Sequence, residues 1–379
     1  MFLYLCTPMR NERIEWDDAH AEIACFETGG NAKEYHVMIH AKDVAAPFQE
    51  QLEAVICGYE KLKAKELNVA TPVMKRYFLS DVANQGEEVL NADTTVCAKS
   101  IVGQPPLDGT KVALWVYLLT DATSSKLSNG LYEVKQGGIR HLWSASANCL
   151  KGDSEQQMLQ LFNDYVDTLA EEGCTLADNC LRTWLFVNDI DNNYAGVVKA
   201  RNTIFAEQGL TKDTHYIAST GIGGRAINHK VLAQMDAYAV AGIHQEQVHY
   251  LYAPTHLNRT SDYGVSFERG TYIDYPDHRQ VFISGTASID NHGQIVYPKD
   301  IVNQTHRMWE NVEMLLAEAD CNFDHVGVII VYLRDMADYQ VVKKLFGARY
   351  PDIPTVIVHA PVCRPGWLIE MECMAIKKI

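Results

Sequence analysis

One pattern of helix, turn and strand recurs three times along this chain, and that repeat constrains its fold more than any other feature. Near the C-terminal end, Gln304 opens a helical pattern with Met308, Val312, Leu315, Leu316 and Ala319 spaced along one face. A turn at Cys321-Asn322-Phe323-Asp324 leads into a β-branched run that ends Tyr332-Leu333-Arg334-Asp335-Met336. In the middle of the chain, Gln157 leads through Leu161, Tyr165 and Leu169 to a strand ending Phe186-Val187-Asn188-Asp189-Ile190. The first third follows the plan more loosely, from Gln51 through Leu52, Ile56, Tyr59 and Leu62 to Phe78-Leu79-Ser80-Asp81-Val82. The second and third copies agree within a residue over about 30 positions, as tandem structural units do. Each strand end reads aromatic, aliphatic, any residue, Asp, aliphatic, and the aspartate is placed to cap the next helix.

Strands flank each helix. In the third copy they are expected at Gln280–Ser284, Val356–Ala360 and Leu368–Ala375, with a second helix over Tyr339–Arg349. In the second they fall at Ile139–Ser144, Tyr216–Ser219 and Val231–Ala239, with a helix over Tyr194–Glu207. In the first they fall near Ala21–Glu27, Glu34–Ile39 and Val112–Leu119. The apolar start, Met1–Met9, is short and lacks a basic flank, so it reads as a strand and not a signal peptide. The polar stretches Thr120–Asn129 and Ile243–Thr255 read as boundaries. They divide the chain into units at 1–122, 123–250 and 251–379.

The formal charge of −15 with no long basic run gives a phosphate backbone nothing to release counterions for, so no nucleic acid is expected as a partner. A few converging arginines can still hold a small anion. No run approaches the roughly 20 apolar residues of a membrane span. Ten cysteines without a CxxC pair fit a reducing, cytoplasmic setting. The 14 histidines make no metal-ligand spacing, so neither a metal nor a cofactor is expected.

The third unit resembles the Rid/YjgF family over nearly its whole length. The likeness rests on Ile283-Ser284-Gly285-Thr286-Ala287, the Gln304 helix, the Tyr332–Met336 strand end and Pro365-Gly366-Trp367-Leu368-Ile369-Glu370-Met371-Glu372. Rid proteins are α+β trimers of chorismate-mutase-like fold with clefts between neighbours. The resemblance implies an α+β chain of three tandem units forming an intramolecular pseudo-trimer, for which a monomer or dimer suffices. The deaminases of that family need an arginine about fifteen residues before the first glutamate of the last strand. Thr355 stands there in the third unit; in the second it is Ser219, with Gln234 in the glutamate's place. Without a guanidinium to hold an imine acid's carboxylate, enamine or imine hydrolysis lacks its anchor.

The second and third units together resemble chorismatases, which remove pyruvate from chorismate. Arg182-Thr183-Trp184, Asn188-Asp189-Ile190, Tyr194 with Arg201, Ala218-Ser219-Thr220-Gly221-Ile222-Gly223, Tyr263-Gly264, Ser266-Phe267-Glu268-Arg269, Gly285-Thr286-Ala287-Ser288-Ile289 and Val362-Cys363-Arg364 match that family's segments in order. Ala200 replaces a family glycine, and the linker before Ser266 is shorter.

Pyruvate removal protonates the methylene carbon of an enol ether, which needs a carboxylic acid kept neutral by burial. Glu370, in an apolar strand, is the expected proton donor. Glu372, two residues on and on the same side, is expected to stay ionised and hold Glu370 or a water. Taken alone, both read equally well as solvent-facing positions. Arg364, Arg201 and Arg269 supply planar forks for substrate carboxylates, and Tyr194 and Tyr263 can bind a ring hydroxyl or fill core. Ser284-Gly285 and Gly221-Ile222-Gly223-Gly224 are expected to offer backbone N–H groups at tight turns. Cys363 lacks any feature that would activate a thiolate. The expected partner is a small-molecule carboxylate. The competing readings are a Rid-type enamine or imine hydrolase and a non-catalytic carboxylate-binding protein.

Overall fold

Each of the three copies folds into the same six-stranded sheet. The computed structural model describes residues 9–379, so the strand expected at Met1–Met9 lies outside the described residues except for Met9. The first unit runs β1 (Arg10–Glu15), β2 (Ala19–Glu27), β3 (Lys33–Ala41), α1 (Phe48–Ala64), β4 (Thr71–Leu79), α2 (Val82–Ala92), β5 (Ala98–Val102) and β6 (Val112–Leu119). The second runs β7 (Ala122–Lys126), β8 (Tyr132–Gln136), β9 (Ile139–Asn148), α3 (Ser154–Glu171), a single turn α4 (Leu176–Asn179), β10 (Cys180–Val187), α5 (Ile190–Glu207), β11 (Ala218–Gly223) and β12 (Ala233–Ala241). The third runs β13 (Val248–Leu251), β14 (Gly270–Asp274), β15 (His278–Ala287), α6 (Ile301–Glu318), β16 (Val326–Leu333), α7 (Tyr339–Arg349), β17 (Thr355–His359) and β18 (Ile369–Lys378). In every sheet the spatial order is first, second, third, sixth, fourth, fifth strand. The fourth and fifth strands are parallel, joined by a crossover helix, and the rest pair antiparallel.

The repeated glutamine does one job three times. Gln51 Oε1 accepts from Lys111 N at 2.7 Å, Gln157 Oε1 from Leu232 N at 2.8 Å and Gln304 Oε1 from Leu368 N at 3.0 Å. Each of these residues immediately precedes the last strand of its unit, so the buried glutamine ties the start of the long helix to the start of that strand. The repeated aspartate is less uniform. Asp335 accepts from Ala337 N at 2.8 Å as a cap should, whereas Asp81 and Asp189 make no cap bond. Their carboxylates bond the side chains of Asn84 and Asn192 instead. The polar stretches read as boundaries also hold edge strands, β7 and β13, because an outermost strand buries too little surface to demand apolar residues.

The three sheets close around a pseudo-threefold axis with the long helices outside. One apolar core takes residues from all three, among them Phe78, Trp115, Trp143, Trp184, Phe282 and Ile330. The fifth strand of each unit meets the third strand or its neighbour in the next unit. Ile101 N donates to Ser146 Oγ, Ser219 N to Ser284 Oγ, and Thr355 N to Glu22 Oε2, at 2.9–3.0 Å. Charge is buried on the axis as well. Arg76 of the first unit, fully buried, bonds Asp236 of the second at 2.9 Å and lies 3.7 Å from Glu372 of the third.

Candidate active site

Between the second and third units lies a cavity of about 320 Å³. Tyr194 and Arg201 reach it from α5, Ser219 and Gly221 from β11, and Tyr263 and Arg269 from the segment before β14. Gly285 reaches it from β15, Arg364 from the loop before β18, and Glu370 from the start of β18. Seven of the nine catalytic and binding residues expected from the sequence therefore line one space. Ser284 and Glu372 do not line it.

Glu370 stands at a position that only the third unit fills with an acid. It faces Tyr332 across β16 and β18, as Gln234 faces Phe186 and Ala113 faces Phe78 in the other units. Gln234 spends its amide on the first unit, donating to the Ile101 carbonyl at 3.1 Å. Glu370 is 4 % exposed, and burial raises its carboxyl pKa to about 8. The neighbouring charge of Glu372 pushes the same way, and Arg269 and Arg182 oppose it. Such a group carries its proton at neutral pH.

Three guanidinium groups share the cavity, and among the described residues none meets a carboxylate at ion-pair distance. Arg201 is 1 % exposed, with Nε and Nη2 unpartnered, and rests over the Phe267 ring at 5.6 Å. Arg269 is held by Asn258, through the backbone carbonyl at 3.1–3.2 Å and Oδ1 at 3.0 Å. Arg364 lies 4.7 Å from the Tyr263 ring and 5.0 Å from the Trp367 ring. The Tyr263 hydroxyl also lacks a partner. Buried cations without counter-ions are costly, and an anionic ligand is the partner this arrangement lacks. Arg201 stands on α5 and the other two on the segments before β14 and β18, and the aromatic faces flank the arginines without neutralising them.

Two expectations need correction. Glu372 points to the barrel axis. It accepts from Arg182 Nη2 at 2.6 Å, from Trp184 Nε1 at 2.8 Å and from the Thr220 hydroxyl. Its oxygens are thus occupied by protein donors, and it acts on Glu370 through its charge. The expected backbone donors are not free either. Ser284 N donates to the Arg269 carbonyl at 3.0 Å and Gly285 N to Thr220 Oγ1 at 2.9 Å. Gly223 N and Gly224 N donate to the carbonyls of Pro361 and Val187. Gly221 and Gly223 lie in β11, and Gly285 lies in β15, not at tight turns. Gly221 and Gly285 serve by lacking a side chain: a β-carbon would stand 2.8 Å from the Tyr194 ring and 2.0 Å from Glu370 Oε1 respectively.

Thr355 lines a different cleft, between the third and first units. In the cavity that holds Glu370, the corresponding residue of the second unit, Ser219, is among the lining residues. Burial pushes the Cys363 thiol up to about 12, which leaves it protonated and a poor nucleophile. Residues missed in the sequence are Arg76 and Asp236, which complete the charge cluster behind the site. Their only sequence signal was an ionisable residue inside an apolar strand.

A family model described as endoribonuclease L-PSP matches residues 269–377. A RutC family protein of Pyrococcus abyssi is 30% identical over 100 residues, 26% of this chain and 79% of that protein. The chain belongs to the Rid/YjgF family. The 3-aminoacrylate deaminase RutC of Acinetobacter baylyi is 26% identical over 97 residues, 25% of this chain and 77% of that protein. Among solved structures a chorismatase superposes with a TM-score of 0.62 at 17% identity, covering 80% of this Rid-family chain and 93% of its own. That likeness is one of fold.

Proposed function

We propose that the protein removes pyruvate from chorismate or a related enol-ether carboxylate, with Glu370 as the general acid. The observation that carries this reading is a carboxyl group protonated at neutral pH in a cavity holding three arginines without acid partners. Glu370 delivers its proton to the methylene carbon of the enol ether, leaving an oxocarbenium ion beside the new carboxylate. Addition of water, or attack from within the ring, then breaks the ether bond, releases pyruvate and returns a proton to Glu370. Arg201, Arg269 and Arg364 hold the substrate carboxylates, and Tyr194 and Tyr263 face the ring. Enamine or imine hydrolysis of the deaminase kind is less well served, because Ser219 occupies the place where that chemistry needs an arginine. Three units in one chain already close the barrel, so a monomer or dimer suffices for activity.

The test is pyruvate release from chorismate. Glu370→Gln keeps shape and hydrogen bonding but loses the transferable proton, and the rate should fall about 100- to 10,000-fold with little change in affinity. Arg364→Ala should act mainly on binding, weakening it by about 1.5–3 kcal/mol, with Arg364→Lys a partial rescue. Affinity for chorismate without turnover by the wild type would favour a binding protein instead.

A further inference from the structure

The position that faces Glu370 across β16 and β18 departs from the threefold pattern by a single oxygen atom. Phe78 holds it in the first unit and Phe186 in the second, opposite Ala113 and Gln234. In the third unit it is Tyr332, opposite Glu370 itself. The hydroxyl thus occurs in the unit that carries the acid, on the strand paired with it. Phenylalanine fits this place twice in the same fold, so packing alone does not call for the oxygen.

The oxygen destabilises the chain where it stands. Tyr332 is fully buried, and its hydroxyl has no hydrogen-bond partner among the described residues. A buried donor left unpaired loses its water and gains nothing in return. Charge surrounds it: Glu372 and Glu370 act on it from β18, Arg76 from β4 and Arg182 from β10. Glu372 is already held by Arg182, Trp184 and Thr220. Glu370 feels burial and neighbouring charge but no hydrogen bond. The two groups left without partners therefore stand opposite each other.

A neutral carboxyl can remain in that state. Once its proton has passed to a substrate carbon, Glu370 is a carboxylate in a buried place, and an ion there needs a donor. Arg201, Arg364 and Tyr263 line the cavity and are open to a ligand, whereas Tyr332 lies behind it. We propose that Tyr332 is a positioning residue for the acid, its hydroxyl donating to the Glu370 carboxylate that proton transfer leaves. The inference rests on the role given to Glu370 above. A donor that favours the charged form lowers a carboxyl's pKa and makes it a stronger acid. The other groups facing Glu370 are Glu372 on its own strand, Arg269 before β14, Arg182 on β10, Tyr194 on α5 and Cys363 before β18. All of them stay in place in the variant that tests the proposal.

Tyr332→Phe removes the oxygen and leaves the side chain that the fold already holds at Phe78 and Phe186. The first readout needs no substrate. It is the carboxyl titration of Glu370 in full-length protein carrying ¹³C-labelled glutamate, with the signal assigned by its loss in Glu370→Gln. The midpoint should rise by about one pH unit in Tyr332→Phe, the tenfold effect of one charge-assisted hydrogen bond. Below that midpoint, where Glu370 is neutral, the Tm should equal or exceed that of wild type. The second readout is pyruvate release from chorismate. There kcat should fall about tenfold with KM within about twofold of wild type, and the alkaline fall of kcat should move to higher pH. A Glu370 midpoint that stays where it is would overturn the inference, and a lower Tm beside it would make Tyr332 structural. A wild type that releases no pyruvate would overturn the proposed reaction instead, and the titration would still decide the hydrogen bond.

Discussion

The carboxyl of Glu370 rests directly on the α-carbon of Gly285, so closely that a β-carbon on Gly285 would stand 2.0 Å from Oε1 and 2.8 Å from Cδ. The bare backbone of β15 is therefore one wall of the acid's seat. Thr220, which accepts from Gly285 N, also donates to Glu372 and so ties that wall to the charge behind it.

Gly285→Ala should displace the acid from its seat while leaving the fold intact, because β15 is extended and tolerates alanine's backbone preferences. The expected outcome is loss of pyruvate release by about 100-fold or more, with a circular dichroism spectrum matching wild type. Full activity would mean that the seat is not where the chemistry occurs.

A pKa of about 8 for Glu370 makes two pH predictions. As a general acid it must be protonated, so kcat/KM should fall about tenfold per pH unit above 8. For stability, the folded pKa lies above the ordinary 4.5. The folded chain then binds more protons than the unfolded one between those values. Its stabilising share is complete below about pH 4.5, is lost as pH rises to about 8, and is flat beyond. Glu370→Gln carries no such loss. Its Tm should equal or trail wild type near pH 4.5 and exceed it at pH 9; thermal unfolding at both pH values decides this.

Arg201 should show the opposite sides of a binding residue. Its guanidinium is buried with two nitrogens unpartnered, a burden on the free protein that a bound carboxylate relieves. Arg201→Met keeps the packing of the stem against Phe267 and removes the charge. The variant should unfold at higher temperature than wild type while binding the substrate carboxylate about 10- to 100-fold more weakly. A lower Tm together with unchanged affinity would show that the arginine is structural.

The periodic apolar faces of α1, α3 and α6 and the recurrent strand ends made the three-unit architecture legible in the sequence, because burial against a sheet imposes those spacings. The repeated glutamine was visible as a pattern, but its purpose, pinning the first residue of the last strand, depends on a partner 60 to 75 residues away. Glu370 and the three arginines were legible through family motifs that they share. Glu372 was misplaced for a simple reason. Two residues of the same strand face share a side of the sheet, but the sheet curves round the axis, so one opens to the cavity and the other to the interior. Whether Ser284 and Gly285 had free N–H groups depended on which strands pair, and that is not local information.

Arg76 and Asp236 provide the last test, which concerns the first unit. The pair joins the first and second units at 2.9 Å, both side chains fully excluded from solvent, and Arg76 also faces Glu372 of the third. The Arg76 guanidinium lies 4.8 Å from the Trp184 ring and 5.0 Å from that of Phe186, packed among aromatic faces of the second unit. Arg76→Met should cost about 3–5 kcal/mol, since it strands the Asp236 charge in the core. Asp236→Asn should also destabilise, although its side-chain oxygen can still accept from Ser146 N, which bonds Asp236 at 2.7 Å. The double variant should recover more than half of the loss caused by Arg76→Met, because no unpaired charge is left between the two sites. Urea unfolding of the four proteins measures the coupling. A single transition in all of them is expected, because one core runs through the three sheets. Strictly additive losses would show that the pair does not join the units. An early, separate transition of the first unit would show that it docks loosely on the other two.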